Sequence, residues 1–168
     1  STGTITKRLD SVGVASTEAN RRDYREMLFR SDGIAHYISG VILYDETIRQ
    51  SAADGTPLTQ LLTDQGILAG IKVDTGAKAL AGSETEKVTE GLDGLQDRVA
   101  EYVKFGAKFA KWRAVITIGD SIPTIYCIKV NAHALARYAR ICQEGGLVPI
   151  VEPEVLMDGN HTVDRCAE

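Results

Sequence analysis

One pattern recurs three times in this sequence: an amphipathic stretch with helical spacing, a glycine, and a short apolar run that contains charged residues. The three apolar runs are "ILAGIKVD" (67–74), "AKFAKWRAVI" (107–116) and "LVPIVEPEVL" (147–156). Equivalent charged positions recur every 39 to 41 residues, at Lys72, Lys111 and Glu152. Strands joined through a helix are forced to run parallel, with the helices packed outside the sheet. The sequence therefore predicts a repeated βα unit.

A fourth strand is predicted upstream of these repeats. The segment "TEANRRDYREMLF" has helical spacing with Tyr24, Met27 and Leu28 facing inward, and the apolar "ISGVILYDET" follows it. Strands are thus predicted at about 38–46, 67–74, 108–116 and 147–155. Runs as apolar as "GVIL" and "LVPIV" are typical of strands that are covered on both faces.

The helices between the strands carry start and stop signals. Pro57 and Pro123 occupy positions typical of a first helical turn, while Gly66, Gly106 and Gly145 follow the last apolar residues of their helices. These signals predict a helix before each of the three later strands.

Two architectures are built from such units, the (β/α)₈ barrel and the doubly wound sheet. Every predicted strand delivers polar groups at its carboxyl end, where barrel enzymes keep their active sites. A nucleotide-binding doubly wound sheet would need a glycine-rich phosphate turn, and neither G-x-G-x-x-G nor G-x-x-x-x-G-K-[ST] occurs. We therefore predict the α/β fold class and a TIM (β/α)₈ barrel.

Composition narrows the function classes. The 168 residues carry a net charge of −4, whereas nucleic-acid-binding domains usually need a basic surplus. The one basic cluster, "NRRDYR" at 20–25, is interleaved with acidic residues and predicts a solvated helix face. No apolar run of about 18 residues and no charged-then-apolar leader occurs, so we expect a cytoplasmic protein without membrane or nucleic-acid partners.

The cysteines indicate neither a disulfide framework nor a metal site. The three residues, Cys127, Cys142 and Cys166, are odd in number and lack C-x-x-C spacing. We expect them to be reduced and mostly packed.

Charged side chains form pairs on the three repeated strands. Because side chains alternate across a strand, each of these pairs shares one face: Lys72 with Asp74, Lys111 with Arg113, and Glu152 with Glu154. Burying so many unpaired charges would be costly, so they must pair, meet solvent or meet a charged ligand. We predict a functional cleft here. Trp112, between the two cations, should face the helix layer.

Two kinds of chemistry suit this cleft. Three cations beside three carboxylates suit an anionic, phosphorylated substrate, with a lysine active in proton or amine chemistry and the glutamates as acid and base. Alternatively, Asp74, Glu152 and Glu154 could hold Mg²⁺, because carboxylates on adjacent strand ends make a hard oxygen site. A third possibility is a non-catalytic barrel that serves for binding or assembly.

The sequence resembles class I fructose-bisphosphate aldolase along nearly its whole length. The matching stretches, in order, are "STGTITKRL", "TEANRRDYREMLF", "SGVILYDET", "GIKVD", "EGLDGL", "FAKWRAV", "NAHALARYARICQEGGLVPIVEPEVL" and "DGNHTVDRC". The resemblance implies a (β/α)₈ barrel and the reversible cleavage of fructose 1,6-bisphosphate to dihydroxyacetone phosphate and glyceraldehyde 3-phosphate through a lysine Schiff base. It implies no cofactor or metal, a place in glycolysis and gluconeogenesis, and a homotetramer.

The resemblance also assigns catalytic roles. Lys111, in "FAKWR", matches the lysine that assists attack on the ketone and positions the hydroxyl at the bond to be cleaved. Glu152, the first glutamate of "VEPE", matches the residue that moves protons as the carbinolamine loses water. Glu154 supports it in the same cluster.

Substrate binding is assigned in the same way. The "STG" stretch matches the family's "STGSIAKR", whose second serine and arginine contribute to phosphate binding, and Thr4 here keeps the hydroxyl. The residues implied to contact the substrate are Ser1, Thr4, Arg8, Lys72, Asp74 and Arg113.

Two family features are absent from these 168 residues. The family sequence runs "AADESTG", with a catalytic aspartate on the first strand, and its Schiff-base lysine lies in a "GTLLKPN" segment. We therefore expect residues 1–168 to form a single partial (β/α)₈ domain that lacks the first and last strands. We expect this segment alone to be inactive, so the predicted activity belongs to a longer polypeptide.

Overall fold

The computed structural model describes all residues from 1 to 168. Its helices are α1 (Thr2–Asp10), α2 (Glu18–Phe29), α3 (Asp45–Arg49), α4 (Leu58–Thr63), α5 (Leu95–Lys104), α6 (Ile125–Glu144) and α7 (Val163–Ala167), with one 3₁₀ turn at Ile34–His36. Its strands are β1 (Gly40–Leu43), β2 (Leu68–Lys72), β3 (Gly76–Ala79), β4 (Lys87–Glu90), β5 (Phe109–Ile116) and β6 (Val148–Val155). No helix is long and apolar enough to cross a membrane.

Four strands form one hydrogen-bonded sheet in the order β1-β2-β5-β6, and all four were predicted. Strands β1 and β2 are parallel, with Gly40 opposite Leu68 and Leu43 opposite Ile71. The prediction of a strand at 38–46 was wrong at its end, because Asp45 begins a helix. Two acidic residues in the first turn of α3 favour this start, since the helix N-terminus carries a partial positive charge.

The sequence did not predict the hairpin of β3 and β4. The two strands pair antiparallel, with Gly76 opposite Glu90 and Ala79 opposite Lys87. Their sequences, "GAKA" and "KVTE", have no sustained alternation of apolar and polar residues. The hairpin lies in the connection between β2 and α5.

The chain divides into two compact units. The first comprises Ser1–Lys72 and Glu101–Phe109, and the second comprises Val73–Ala100 and Ala110–Glu168. The prediction of a single partial barrel domain remains a prediction.

In the first unit, an aromatic ring lies against two strand glycines. A side chain at Gly70 would place its Cβ 2.3 Å from the Phe109 ring, and one at Gly40 would place it 3.0 Å away. Gly70 therefore excludes a side chain while the ring occupies this place, whereas a side chain at Gly40 would require the ring to shift by a few tenths of an ångström. Beside them, helix α4 buries Leu58 and Leu62 completely. Burial of such leucines is worth about 2 kcal/mol each relative to exposure.

The basic cluster on α2 is more buried than the sequence predicted. Arg25 and Phe29 face inward, whereas Met27 and Leu28, which were predicted to do so, are 57% and 39% exposed. Arg25 Nη1 donates to Glu46 Oε2 at 2.7 Å and to Gln50 Oε1 at 2.8 Å. Arg21 also pairs with Glu46. The prediction of a solvated face was wrong for these two arginines, because their partners lie on or just after α3.

Replacing Glu46 with glutamine should reduce stability and flatten its dependence on acid pH. Hydrogen bonding from Arg21 is the main reason that the pKa of Glu46 falls to about 2, below its ordinary value of 4.5. A lowered carboxyl pKa stabilises the fold above the unfolded value, and this stabilisation is lost as pH falls from about 4.5 towards 2. We expect a loss of roughly 2 kcal/mol at neutral pH, after allowance for solvent screening. Denaturant titrations at a series of pH values measure it.

The matched control is Glu101→Gln, which removes a carboxylate from an exposed ion pair with Arg49. Glu101→Gln should change the pH dependence of the free energy of unfolding much less, because exposed ion pairs contribute little to stability. Equal effects of the two substitutions would contradict the account of Glu46.

The second unit packs α6 against β5 and β6. Trp112 is fully buried and stacks on Tyr138, with ring centroids 5.4 Å apart. The Tyr138 hydroxyl donates to the carbonyl oxygens of Ala110, at 2.8 Å, and Ile150, at 3.1 Å. One side chain of α6 is thereby hydrogen-bonded to both strands that carry the predicted catalytic residues.

Candidate active site

The two faces of β5 differ in burial, as the alternation predicted. Ala110, Trp112 and Ala114 are fully buried on one face. Lys111 and Arg113 lie on the other face and are partly exposed. The predicted orientation of Trp112 towards the helix layer is confirmed by its stacking on Tyr138 of α6. The packed face thus holds the strand in place while the polar face remains accessible.

The polar faces of β5 and β6 are joined by ion pairs. Lys111 Nζ lies 2.8 Å from Glu152 Oε2, and Arg113 Nε hydrogen-bonds to Glu154 Oε2. Arg113 Nε also lies 4.0 Å from Glu152 Oε1, so that glutamate has a cation on each side. All four side chains are between 28% and 43% exposed. The four charges therefore form one linked, solvent-accessible cluster.

Asp74 adds a fifth charge to this cluster. It is only 7% exposed. Its Oδ1 accepts from the Gly76 N–H at 3.0 Å, and its Oδ2 accepts from the Arg113 N–H at 3.4 Å. The side chain therefore hydrogen-bonds the main chain of β5 at the residue that carries the guanidinium.

The contact between Arg113 and Glu154 favours the ionised state of both groups. The hydrogen bond from Arg113 lowers the pKa of Glu154, and the positive charge of Lys111 acts in the same direction. The Glu154 hydrogen bond in turn raises the pKa of Arg113, assisted by the charges of Glu152 and Asp74. Arg113 and Glu154 are thus a fixed ion pair near neutral pH. Glu152 and Lys111 form the second ion pair of the cluster, with Nζ and Oε2 2.8 Å apart.

The remaining predicted residues lie in the first unit. Ser1 occupies the N-cap position of α1 without a side-chain capping hydrogen bond, and its Oγ lies 3.1 Å from Thr4 Oγ1. Arg8 follows one turn later. These three residues line a small groove of about 190 Å³ together with Arg25. Lys72 is the last residue of β2.

Two arginines, Arg8 and Arg25, line the same groove as Ser1. Arg25 was not predicted as a site residue, because its place beside the groove depends on the fold and not on any local pattern.

The structure does not support the alternative magnesium site. No group of three or more His, Cys, Asp or Glu side chains is arranged to hold a metal ion. Of the three candidate ligands, Glu152 and Glu154 contact cations and Asp74 accepts main-chain N–H groups. Cys127 and Cys142 are buried, in agreement with the predicted packing, and Cys166 is partly exposed.

Comparison with known proteins gives one consistent result. Residues 1–168 match the family model described as fructose-bisphosphate aldolase class-I. The chain is 60% identical over its full length to the "Probable fructose-bisphosphate aldolase class 1" of Xanthomonas campestris, of which it covers 50%. It is 56% identical to the "Fructose-bisphosphate aldolase, cytoplasmic isozyme" of Spinacia oleracea, and covers 47% of that protein.

A solved structure agrees. The aldolase of Plasmodium falciparum, determined in complex with TRAP and a small-molecule inhibitor, superposes with a TM-score of 0.96 at 48% identity. The match covers 99% of this chain and 49% of that one. It confirms the predicted α/β fold class, a segment of a (β/α)₈ barrel. The chain spans about half the length of these relatives, and it belongs to the class I fructose-bisphosphate aldolase family.

Proposed function

We propose that a polypeptide of full family length containing this chain cleaves fructose 1,6-bisphosphate reversibly to dihydroxyacetone phosphate and glyceraldehyde 3-phosphate through a lysine Schiff base. The single observation that carries the proposal is the contact between Lys111 Nζ and Glu152 Oε2, 2.8 Å apart on neighbouring strands. An ammonium and a carboxylate at this distance can serve as the proton donor and the proton acceptor of one reaction.

Each residue of the cluster has a role in this reaction. Lys111 donates to the substrate oxygen during attack on the ketone and then holds the hydroxyl at the bond that breaks. Glu152 gives a proton to the carbinolamine hydroxyl, which leaves as water, and Glu154 supports it. Arg113, held by Glu154, offers a guanidinium to the anionic substrate.

The groove at α1 is proposed to receive a phosphate group. Ser1 and Thr4 supply hydroxyl groups at the helix N-terminus, where main-chain N–H groups and the helix dipole favour anions. Arg8 supplies a cation on the following turn. Lys72 and Asp74 are proposed as further substrate contacts.

No metal is needed in this mechanism. The protonated iminium withdraws electrons from the carbon–carbon bond, which is the task that a metal would otherwise perform. The lysine that forms the iminium is expected in a segment that these 168 residues do not contain, so we propose that they are inactive alone. A cytoplasmic homotetramer is proposed for the complete polypeptide, in line with the relatives that are named cytoplasmic or cytosolic isozymes.

Reduction with borohydride tests the proposal. The full-length polypeptide, incubated with dihydroxyacetone phosphate and then borohydride, should gain one covalent adduct on a lysine, and activity should survive exhaustive EDTA treatment. Peptide mass spectrometry locates the adduct. Activity lost to EDTA and restored by Mg²⁺ would favour the metal-dependent alternative, and cleavage activity and adduct both absent would favour a non-catalytic binding protein.

A further inference from the structure

The main chain of Arg113 is held by two side chains. The Val73 N–H donates to the Lys111 carbonyl at 3.1 Å, but β2 has already ended at Lys72 while β5 continues to Ile116. Two residues further along β5, the Arg113 N–H donates to Asp74 Oδ2 at 3.4 Å. The Arg113 carbonyl accepts from the Thr89 hydroxyl at 2.8 Å. A carboxylate and a hydroxyl thus take the hydrogen-bonding positions that a continuing strand would supply.

The Thr89 hydroxyl is itself fixed in position. Thr89 and Asn131 are only 2% and 3% exposed. Asn131 Oδ1 accepts from the Thr89 N–H at 3.2 Å, while its Nδ2 donates to the carbonyl oxygens of Lys87, at 2.9 Å, and Cys127, at 3.0 Å. One amide side chain of α6 therefore binds strand β4 on both sides of Val88, as a neighbouring strand would.

The two ends of the hairpin are held separately. Near its start, Arg98 donates to the carbonyl oxygens of Val73, at 2.9 Å, and Gly91. A Cβ at Gly91 would lie 2.9 Å from the Thr75 nitrogen, so a close main-chain approach exists there. At the tip, the buried Glu86 carboxylate accepts from the Thr124 N–H at 2.6 Å and from its hydroxyl at 2.8 Å. With these attachments, loss of the Thr89 hydroxyl alone should leave the hairpin docked.

We propose that Thr89 is a positioning residue for Arg113: its hydroxyl, held by Asn131, fixes the main chain from which the guanidinium extends, and thereby orients that guanidinium towards a phosphorylated substrate. Only the substrate contact rests on the proposed function; the positioning itself does not. The Arg113 side chain is 43% exposed and its Nε pairs with the carboxylates of Glu154 and Glu152 on β6. Its direction therefore depends both on that ion pair and on the main-chain position from which the side chain extends.

The test compares Thr89→Val with Thr89→Ser in the full-length polypeptide. Valine keeps the shape but cannot donate to the Arg113 carbonyl, whereas serine keeps the donor. We expect Thr89→Val to raise the KM for fructose 1,6-bisphosphate about fivefold or more, with kcat changed less than about twofold, because a binding group is misaligned. Thr89→Ser should have a KM close to that of the wild type. Equal kinetics of Thr89→Val and wild type, or equal impairment of both variants, would overturn the proposal.

Tyr138→Phe is the matched control. It also removes a buried hydroxyl that donates to a β5 carbonyl, that of Ala110, on the face that contacts α6. It should lower stability without raising KM, and an equal rise in KM would show that Thr89 acts only through general stability. If Thr89→Val does not fold, Thr89→Ala and Thr89→Ser form a second pair that differs in the hydroxyl alone, with the same two expected results.

Crystal structures of the variants separate this inference from the proposed function. In Thr89→Val the Arg113 guanidinium should move away from Glu154, and in Thr89→Ser it should return. This readout holds even if the polypeptide cleaves no sugar phosphate, in which case only the proposed function fails. An unmoved Arg113 in the valine variant would overturn the positioning role even if KM changed.

Discussion

Replacing Lys111 with methionine is expected to lower the rate of the proposed fructose 1,6-bisphosphate cleavage by the full-length polypeptide about a thousandfold. A positioned acid or base contributes roughly 10²–10⁴ to a rate, and Lys111 lies 2.8 Å from Glu152, its proposed proton partner. Methionine keeps the length of the side chain and its packing but has no ammonium. The measurement is kcat and KM by steady-state kinetics, with a thermal melt to confirm folding.

Stability should change little in this variant. The pair of Lys111 and Glu152 is partly exposed, and such pairs are worth up to about 1 kcal/mol. Lys104→Met is the matched control, because Lys104 is an exposed lysine at the end of α5. It should retain wild-type kinetics. A Lys111→Met enzyme with more than about a tenth of wild-type activity would remove Lys111 from the proposed mechanism.

Trp112→Ala should lower the free energy of unfolding by roughly 3–5 kcal/mol, which is typical for loss of a fully buried aromatic side chain. The substitution leaves a cavity beside Tyr138, on the face opposite Lys111 and Arg113. Urea titration of the full-length polypeptide measures the change, as a shift of the midpoint at constant slope.

The control for this change is Trp112→Phe. Trp112 Nε1 has no hydrogen-bond partner, so phenylalanine loses no hydrogen bond and keeps part of the contact with Tyr138. Trp112→Phe should lower the free energy of unfolding by about 1–2 kcal/mol. If Trp112→Ala lowered the free energy of unfolding by less than Trp112→Phe, the packed face of β5 would not be the source of stability described above.

Local periodicity explains why much of the fold could be predicted. The alternation along "FAKWRAV" separates Trp112 from Lys111 and Arg113 without reference to any distant residue. The same alternation in "VPIVEPE" places Glu152 and Glu154 on one face. The pairing of these two faces follows from the βα repeat, which places β6 beside β5.

Long-range contacts explain what could not be predicted. Arg25 contacts Glu46 across 21 residues of sequence, and the charge pattern around Arg25 alone is that of a solvated helix. Thr89 contacts the Arg113 carbonyl across 24 residues, and a threonine in a short polar strand carries no signal of such a partner. The hairpin that holds it depends on Asn131 and Arg98, both outside the hairpin itself.

The ring of Phe109 has a further consequence for how this family can vary. Three strands share one small volume, because the ring occupies space that a side chain at Gly40 or Gly70 would need. A methyl group at Gly70 requires the ring to move away or position 109 to become smaller, and one at Gly40 requires the ring to shift by a few tenths of an ångström. Positions 40, 70 and 109 are therefore expected to covary across related sequences. A larger side chain at one position should be accompanied by a smaller one at another, so that their summed volume stays about constant.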